Sequence, residues 1–347
     1  MLTVAATTIM GGSMKKRILG RLLAAAGLAA GLLGTGLAQT QAPSAAPLFP
    51  GKTALRIVVG YPPGGATDRV ARIVADKLQA RMGSPVIVEN KPGAGGRLSA
   101  QFVKHAAAGQ PTLLMANPAV MVVAPLVFPD SGYDPDKDFA PVSEVNRYEF
   151  GLAVSDAVPV RQLSHLFAWL KANPEQANFG VPATGSLPHF FALMLGEAAR
   201  VPVQVVGYKG SGQLLTDLMG GQVPLAVDTL DTQLAQHEAG KLRVLAVSGG
   251  QRSPMAPDIP TLRELGVNLV GTGWNTLFAP QSMAPATVQR LAELVQEVMQ
   301  DPDTQQKFIA SRLQPVVSSA EDTARTLKAY RAQWAPVIQR SGFKVSP

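Results

Sequence analysis

The chain has 347 residues, no cysteine and a formal net charge of +7. The lack of cysteine excludes disulfides and thiol catalysis, and the length is that of two domains. Four of the basic residues, Lys15, Lys16, Arg17 and Arg21, lie in the first segment, and the others are dispersed. We therefore expect neither a nucleic-acid partner nor a membrane-binding patch.

The first segment has the three regions of a secretory signal. Its basic start is followed by an uncharged, apolar stretch, 22–38, that ends on the small residues Gly-Leu-Ala. This order predicts a cleaved signal peptide over 1–38 and a periplasmic location. An uncleaved membrane anchor is the alternative, although the stretch is slightly shorter than the ~20 residues that a spanning helix needs. Residues 39–52, rich in Ala, Pro and Gln, are expected to form a disordered lead-in.

A strand, a glycine-rich turn and a helix then follow in immediate succession. The apolar run 55–59 predicts a buried strand, and apolar residues recur at helical spacing after residue 66. This arrangement leaves backbone N–H groups unpaired at the positive end of the helix dipole, where a carboxylate or a phosphate can bind. The candidate ligand-binding residues of this first loop are Tyr61, Pro62, Gly64, Gly65, Ala66 and Thr67. Asp68 completes the set, but its carboxylate would repel an anion, so we interpret it as a helix cap that orients the loop.

The remaining sequence alternates short apolar strands with helices, which predicts parallel βαβ units and an α/β fold. A polar, proline-containing loop is expected at 133–141, and a glycine-rich hinge at 271–274. The chain is therefore expected to form two lobes, each a mostly parallel sheet flanked by helices: residues 53–149 plus 275–347 are the first lobe and 150–274 the second lobe. Ligands of such sheets bind at the carboxyl ends of the strands, so the cleft between the lobes is the expected site.

A second loop opens a helix that begins at Leu187, and it offers an N-terminal dipole from the second lobe. The candidates in and after it are Ala183, Thr184, Gly185, Ser186 and His189. Plain capping by Ser186 and a structural role for His189 remain open. Weaker candidates that follow other strands are Asn117, Tyr208 and Asp228. For these, a half-buried strand tyrosine and a capping aspartate are the alternatives.

Catalytic, nucleotide and metal sites have little support. Ser186 and His189 could meet at a helix start, but no serine in the chain has the Gly-x-Ser-x-Gly context of a nucleophile elbow. The glycine run 93–96 lacks the third spaced glycine of a dinucleotide site. The 4 histidines are scattered without ligand spacing. We expect a binding protein with no metal and no cofactor, and a secreted hydrolase remains the alternative from a different class.

Several motifs, taken in order, resemble one family. They are GYPPGGATD (60–68), VENKPGAGG (88–96), GYKGSG (207–212), DLMGGQV (217–223), GKLRVLAV (240–247) and PDIPT (257–261). On these motifs the chain resembles the Bug (Bordetella uptake gene) family, the extracytoplasmic substrate-binding proteins of tripartite tricarboxylate transporters. The resemblance runs from about residue 55 to the C-terminus. It implies a Venus-flytrap fold that closes on a small carboxylate, with no catalytic residue.

The resemblance also implies which loops hold the ligand and which partners follow. The carboxylate would lie between 61–68 and 181–189, held by backbone N–H groups, hydroxyls and ordered waters, and the closed form would be offered to membrane transporter subunits. Val181 and Ala183 depart from the family's Ser-Pro-Gly pattern, and Gly207 stands where the family commonly has proline. A dicarboxylate, a tricarboxylate, an amino acid or an aromatic acid would each fit. We expect a monomer, and a ligand sensor that presents its closed form to a membrane receptor is the alternative.

Overall fold

A computed structural model of the chain describes residues 48–49, 53–128 and 130–343. The predicted signal peptide and most of the predicted lead-in lie outside these residues. The described residues belong to one unit, Ala45–Pro347. Phe49, which the sequence assigns to the disordered lead-in, is buried in a hydrophobic cluster with the first strand. At Phe49 the prediction of disorder is therefore wrong.

Ten strands and eleven α-helices are found in the part of the chain that the structure describes. The strands are β1 (Leu55–Val59), β2 (Val86–Asn90), β3 (Thr112–Ala116), β4 (Phe139–Ser155), β5 (Asn178–Val181), β6 (Gln204–Gly207), β7 (Leu225–Thr229), β8 (Leu242–Val247), β9 (Thr272–Pro280) and β10 (Gln314–Pro315). The helices are α1 (Ala66–Met82), α2 (Arg97–Lys104), α3 (Ala124–Val127), α4 (Pro135–Asp138), α5 (Leu163–Ala172), α6 (Leu187–Ala199), α7 (Ser211–Met219), α8 (Leu230–Glu238), α9 (Pro285–Gln300), α10 (Pro302–Ala310) and α11 (Ala320–Arg340).

The strands form a sheet with two parallel parts joined through a long central strand. The order is β2-β1-β3-β9-β4-β7-β5-β6, with β8 and β10 also paired to β4. β1 is parallel to β2 and β3, and β5 is parallel to β6 and β7. β4 has 17 residues and runs antiparallel to β9 with its first part and to β7 and β8 with its second part. The predicted α/β fold is confirmed, and its parallel parts are the ones that carry the two loops.

Two segments that the sequence predicts to be irregular contain regular structure. The expected loop at 133–141 contains α4, and β4 begins within it at Phe139. The expected hinge at 271–274 mostly belongs to β9, because Thr272 to Trp274 pair with β4. The two lobe ranges themselves remain a prediction.

The helix ends follow ordinary capping chemistry. α1 ends at Gly83, which has the left-handed backbone (φ 62°) that glycine adopts without strain. α10 begins after Asp301, whose side chain accepts a hydrogen bond from the Asp303 backbone N–H, and Ser319 caps α11 through the Asp322 N–H. None of the helices in the described ranges has the length and apolarity that a membrane crossing requires.

Candidate functional site

The register of the sheet brings the carboxyl ends of both parallel parts to the same stretch of β4. β3 ends at Ala116, opposite Thr276 of β9, and three residues earlier in β9, Gly273 is paired with Tyr148 of β4. β7 ends at Thr229, opposite Phe150 of β4. The loops after β1 and β3 therefore approach this stretch of β4 from one side, and the loops after β5 and β7 approach it from the other.

The first loop joins β1 to α1 and presents an uncapped helix N-terminus. Gly64 has a left-handed backbone (φ 84°), and Gly65 is the N-cap residue. No side chain caps α1, so its first-turn N–H groups have no partner within the helix. Pro62, Gly64 and Gly65 are exposed, and Ala66 is half-buried. This backbone is open to an anionic ligand.

Asp68 fixes the first loop through hydrogen bonds to its carboxylate. One carboxylate oxygen accepts hydrogen bonds from the Gly64 backbone N–H (2.8 Å) and Arg72 Nε (2.9 Å), and the other accepts one from Asn90 Nδ2 (2.8 Å). Burial acts to raise the pKa of Asp68, but the hydrogen bonds from Arg72, Gly64 and Asn90 hold it below its usual value. Both oxygens are therefore engaged, as the interpretation of Asp68 as an orienting residue requires.

The side chains of Tyr61 and Thr67 also make hydrogen bonds to neighbouring residues. Tyr61 Oη donates to Asn117 Oδ1 (3.0 Å), so the weak candidate Asn117 lies beside the first loop. Burial raises the pKa of Tyr61 to about 12, and the hydrogen bond to Asn117 partly offsets this effect. The hydroxyl of Thr67 bonds to Asn275 of β9 at 2.9 Å. Thr67 thus has its backbone N–H to offer a ligand, whereas its hydroxyl is occupied.

The second loop leads from β5 into α6 and is also uncapped. Gly185 has φ 75°, and Ser186 is the N-cap residue but makes no side-chain cap bond. The buried hydroxyl of Ser186 has no hydrogen-bond partner. Ala183 is half-buried and Thr184 is exposed. At the N-terminus of α6, Pro188 has no N–H group and the His189 N–H bonds to the Ser186 carbonyl (3.1 Å), so the second loop offers a ligand the Leu187 N–H and the unused Ser186 hydroxyl.

His189 is packed among aromatic rings. Its Nδ1 accepts a 3.4 Å hydrogen bond from the Gly185 N–H, and its ring centroid lies 5.3 Å from that of Phe190 and 4.9 Å from that of Phe343. Burial lowers its pKa, so the ring is neutral at pH 7. The contact with Phe343 is one that the sequence reasoning missed.

Tyr208 lies beside the second loop, because its backbone N–H donates to the Val181 carbonyl (2.9 Å). A Cβ on Gly180 would stand 3.2 Å from the Tyr208 ring. Burial raises the pKa of Tyr208, and a hydrogen bond to Asp217 raises it further. These contacts favour the packing interpretation of Tyr208.

Asp228 is fully buried at the end of β7. Its Oδ1 accepts a hydrogen bond from the Thr229 N–H (2.7 Å), whereas its Oδ2 makes no hydrogen bond of normal length. Burial raises the pKa of Asp228 to about 7, although the hydroxyl of Ser211 and the Thr229 N–H act to lower it. Near neutral pH this carboxyl can either accept or donate a hydrogen bond.

Sequence reasoning missed an ion pair between α1 and α8. Arg69 in the first turn of α1 contacts Asp231 in the first turn of α8, with Nη2 and Oδ2 2.6 Å apart. The side chain of Asp231 is only 3% exposed. Arg69 Nε and Asp231 Oδ1 are buried without partners. Two buried carboxylates and one guanidinium thus lie next to the uncapped helix ends.

The site offers hydrogen-bond donors and acceptors, and nothing in it fits a metal. Among the described residues, no group of three or more His, Cys, Asp or Glu side chains could hold a metal ion. Ser186 and His189 do not form a nucleophile and base pair, because the Ser186 hydroxyl has no partner and His189 Nδ1 faces the Gly185 N–H. The arrangement is suited to binding an anion.

Comparison with known proteins places this geometry in context. Residues 70–343 match the model of the tripartite tricarboxylate transporter family receptor. The chain is 31% identical to Protein BugT of Bordetella pertussis over 330 residues, which is 94% of this chain and 97% of BugT. The structure is similar to that of Rhodopseudomonas palustris Rpa4515 with adipate (30% identity, TM-score 0.79), covering 84% of this chain and 97% of that one. It is also similar to MatC from the same organism with bound malate (27% identity, TM-score 0.75), covering 84% of this chain and 100% of that one.

Proposed function

This chain belongs to the tripartite tricarboxylate transporter receptor family, and we propose that it captures a small carboxylate between its first loop, 61–68, and its second loop, 181–189. The observation that supports the proposal is a pair of helix N-termini, at Gly65 and Ser186, that no side chain caps and that follow the parallel strands β1 and β5. A carboxylate accepts hydrogen bonds from such N–H groups and is favoured by both helix dipoles.

The family and the fold are those of periplasmic solute-binding receptors. For this chain we propose a periplasmic monomer, delivered by the N-terminal signal, that offers its closed form to membrane transporter subunits. Binding without turnover is the proposed activity. The unpartnered Ser186 hydroxyl and the neutral, packed His189 ring support it, since neither is arranged to activate a nucleophile.

The proposed ligand is a carboxylate that also carries a hydroxyl or amino group. Asp228 Oδ2 is buried without a hydrogen bond of normal length, and a buried acceptor without a partner is costly. A hydroxyl or ammonium group on the ligand would supply the missing donor. Relatives solved with adipate and with malate bind small dicarboxylates, and of these two ligands malate carries the hydroxyl.

The mechanism is a shift in population between open and closed lobes. A ligand that contacts both helix N-termini binds the closed state more tightly than the open state, and this difference in affinity draws the lobes together. The closed form then differs in shape from the empty receptor, which is what a transporter subunit can recognise.

Thermal-shift measurements on purified protein test this function. We expect malate to raise the melting temperature in proportion to its affinity and concentration. Succinate is the matched control, because it differs from malate by the hydroxyl group alone, and we expect a smaller shift. Adipate, aspartate, citrate and benzoate complete the panel. No shift with any carboxylate would contradict the proposal, and equal shifts with malate and succinate would contradict the role of Asp228.

A further inference from the structure

The helix α8 carries two carboxylates that face cations of the first lobe. Asp231 and Glu238 are seven residues apart, and side chains at this spacing lie on one face of a helix, two turns apart. Asp231 pairs with Arg69 of α1, and Glu238 forms a bidentate pair with Arg312, both N–O distances being 2.6 Å. One helix of the second lobe is therefore attached to the first lobe at both of its ends.

The two ion pairs differ in their surroundings. The Arg312 and Glu238 side chains are 38% and 55% exposed, so solvent screens their attraction. Asp231 is almost fully buried, and its partner Arg69 follows directly on the first loop. A buried carboxylate that loses its counter-ion is strongly disfavoured. Separation of the lobes would break the Arg69–Asp231 contact but would also return Asp231 to water.

Resting on the proposed capture of a ligand between the lobes, we propose that Arg69 and Asp231 form an ion pair that holds the lobes closed, and that both are positioning residues for the ligand. The pair lies between the first turns of α1 and α8, so it fixes the first loop relative to the end of β7. It favours the closed form before the ligand arrives, and the affinity of the receptor rises with the fraction of molecules that are already closed.

The ion pair leaves several buried polar atoms of the closed form without hydrogen-bond partners. Arg69 Nε, Asp231 Oδ1 and Asp228 Oδ2 are buried without a hydrogen bond of normal length. A ligand that supplies partners to this cluster adds the stabilisation that the ion pair lacks. The lobes therefore exchange between open and closed forms without ligand and remain closed with it.

A spin-label distance measurement on the ligand-free protein tests this inference. Because the chain has no cysteine, Ala80→Cys and Ala172→Cys introduce two unique labelling sites. Both are exposed, one on α1 in the first lobe and one on α5 in the second. We expect Arg69→Met and Asp231→Asn each to move the distance distribution toward the open form. The double variant should show no further change, since the two residues act as one unit.

Matched controls separate the cross-lobe contact from a loss of charge. Lys77→Met removes a cation from α1 whose ion pairs, with Asp301 and Asp303, lie within the first lobe. Glu238→Gln removes a carboxylate from α8 at the exposed pair. We expect Lys77→Met to leave the distribution unchanged and Glu238→Gln to change it less than Asp231→Asn does. An unchanged distribution in Arg69→Met would overturn the proposal.

Calorimetric titration with malate completes the test. We expect Arg69→Met to bind about tenfold more weakly, and saturating malate to restore the closed distribution. Weaker binding with an unchanged ligand-free distribution would overturn the proposal, because Arg69 would then act as a ligand contact. The distance measurement needs no ligand. A protein that opens on Arg69→Met but binds no carboxylate would therefore contradict the proposed function alone.

Discussion

Thr184 lies so close to Gly207 that a Cβ on this glycine would stand 2.0 Å from Thr184 Oγ1 and 2.8 Å from the Thr184 backbone nitrogen. The second loop thus folds back onto the end of β6, and Gly207, which has no Cβ, leaves room for it. The shape of the second loop depends on a residue more than twenty positions away in the sequence.

This contact predicts the effect of Gly207→Ala. The new methyl group must displace the Thr184 backbone, so we expect about tenfold weaker carboxylate binding in calorimetric titrations. Gly212→Ala is the matched control, since a Cβ there meets nothing within 4 Å. Equal affinities for Gly207→Ala and Gly212→Ala would show that the second loop does not position the ligand.

Replacement of Asp68 tests whether its carboxylate orients the first loop. Asp68→Asn places an amide where three donors converge, and we expect a loss of about 1–3 kcal/mol in the free energy of unfolding together with weaker ligand binding. Because the folded-state pKa of Asp68 is lowered, its contribution is present above the unfolded-state pKa and is lost as the pH falls through the folded-state value.

Urea unfolding at pH 7 and under acidic conditions measures this contribution. Asp76→Asn is the control, since Asp76 lies on the same helix but is exposed and pairs with Lys307 at 3.2 Å. Asp68→Asn and Asp76→Asn should differ at pH 7 and converge in acid. A difference of the same size under both conditions would contradict the ionic role of Asp68.

Asp228 predicts the opposite dependence of stability on pH. Its folded-state pKa is raised by burial to about 7, so between the unfolded-state value near 4 and pH 7 the native state holds a proton that the unfolded state releases. Stability is therefore lost as the pH rises through this window. The change is on the order of a few kcal/mol.

The comparison with Asp228→Asn isolates this effect. Relative to the wild type, the ligand-free Asp228→Asn variant should gain in melting temperature as the pH rises from 4 to 7. Other buried carboxyls, such as Glu144 and Glu149, are present in both proteins and cancel in the difference. A constant difference in melting temperature across these pH values would contradict the assignment.

Phe343 supplies a prediction for the C-terminal segment. Its ring packs on His189 and Phe190, and a Cβ on Gly185 would stand 3.4 Å from it. We expect Phe343→Ala to loosen the second loop and to raise the dissociation rate of the ligand severalfold, as measured by stopped-flow fluorescence. Ile309→Ala, at an exposed position on α10, is the control. Identical dissociation rates would show that the C-terminal segment does not support the second loop.

The sequence predicts local structure well where one segment contains all the information. The strand at 55–59, the glycine-rich turn and the helix after it appear as expected, and the helix predicted to begin at Leu187 does so. In these segments the apolar period and the turn residues agree.

Strand β4 was missed between Phe139 and Glu149 for a physical reason. This part of the chain is rich in polar residues and has register shifts near Ser143 and Glu144, so alternation of apolar and polar residues is lost. Asn146 is buried, but its side chain bonds to Asn275 of β9, which no single segment could indicate.

The contacts between distant segments were unpredictable for a similar reason. Arg69 and Asp231 are 162 residues apart. In the sequence, neither differs from an ordinary charged residue in the first turn of a helix. The contact of Phe343 with the second loop likewise joins two segments that are far apart in the sequence. The loops could be predicted from local sequence, whereas the residues that hold them together depend on the tertiary fold.

Calorimetric titration of the wild type and Gly65→Val with malate tests the central claim most directly. Gly65 has an ordinary backbone (φ −69°), and the nearest atom to an added Cβ is Pro62 O at 3.5 Å, so the fold should tolerate valine. We expect one malate per wild-type molecule and at least tenfold weaker binding to Gly65→Val at an unchanged melting temperature. Equal affinities, or no binding of malate or any other carboxylate to the wild type, would contradict capture by the two uncapped helix N-termini.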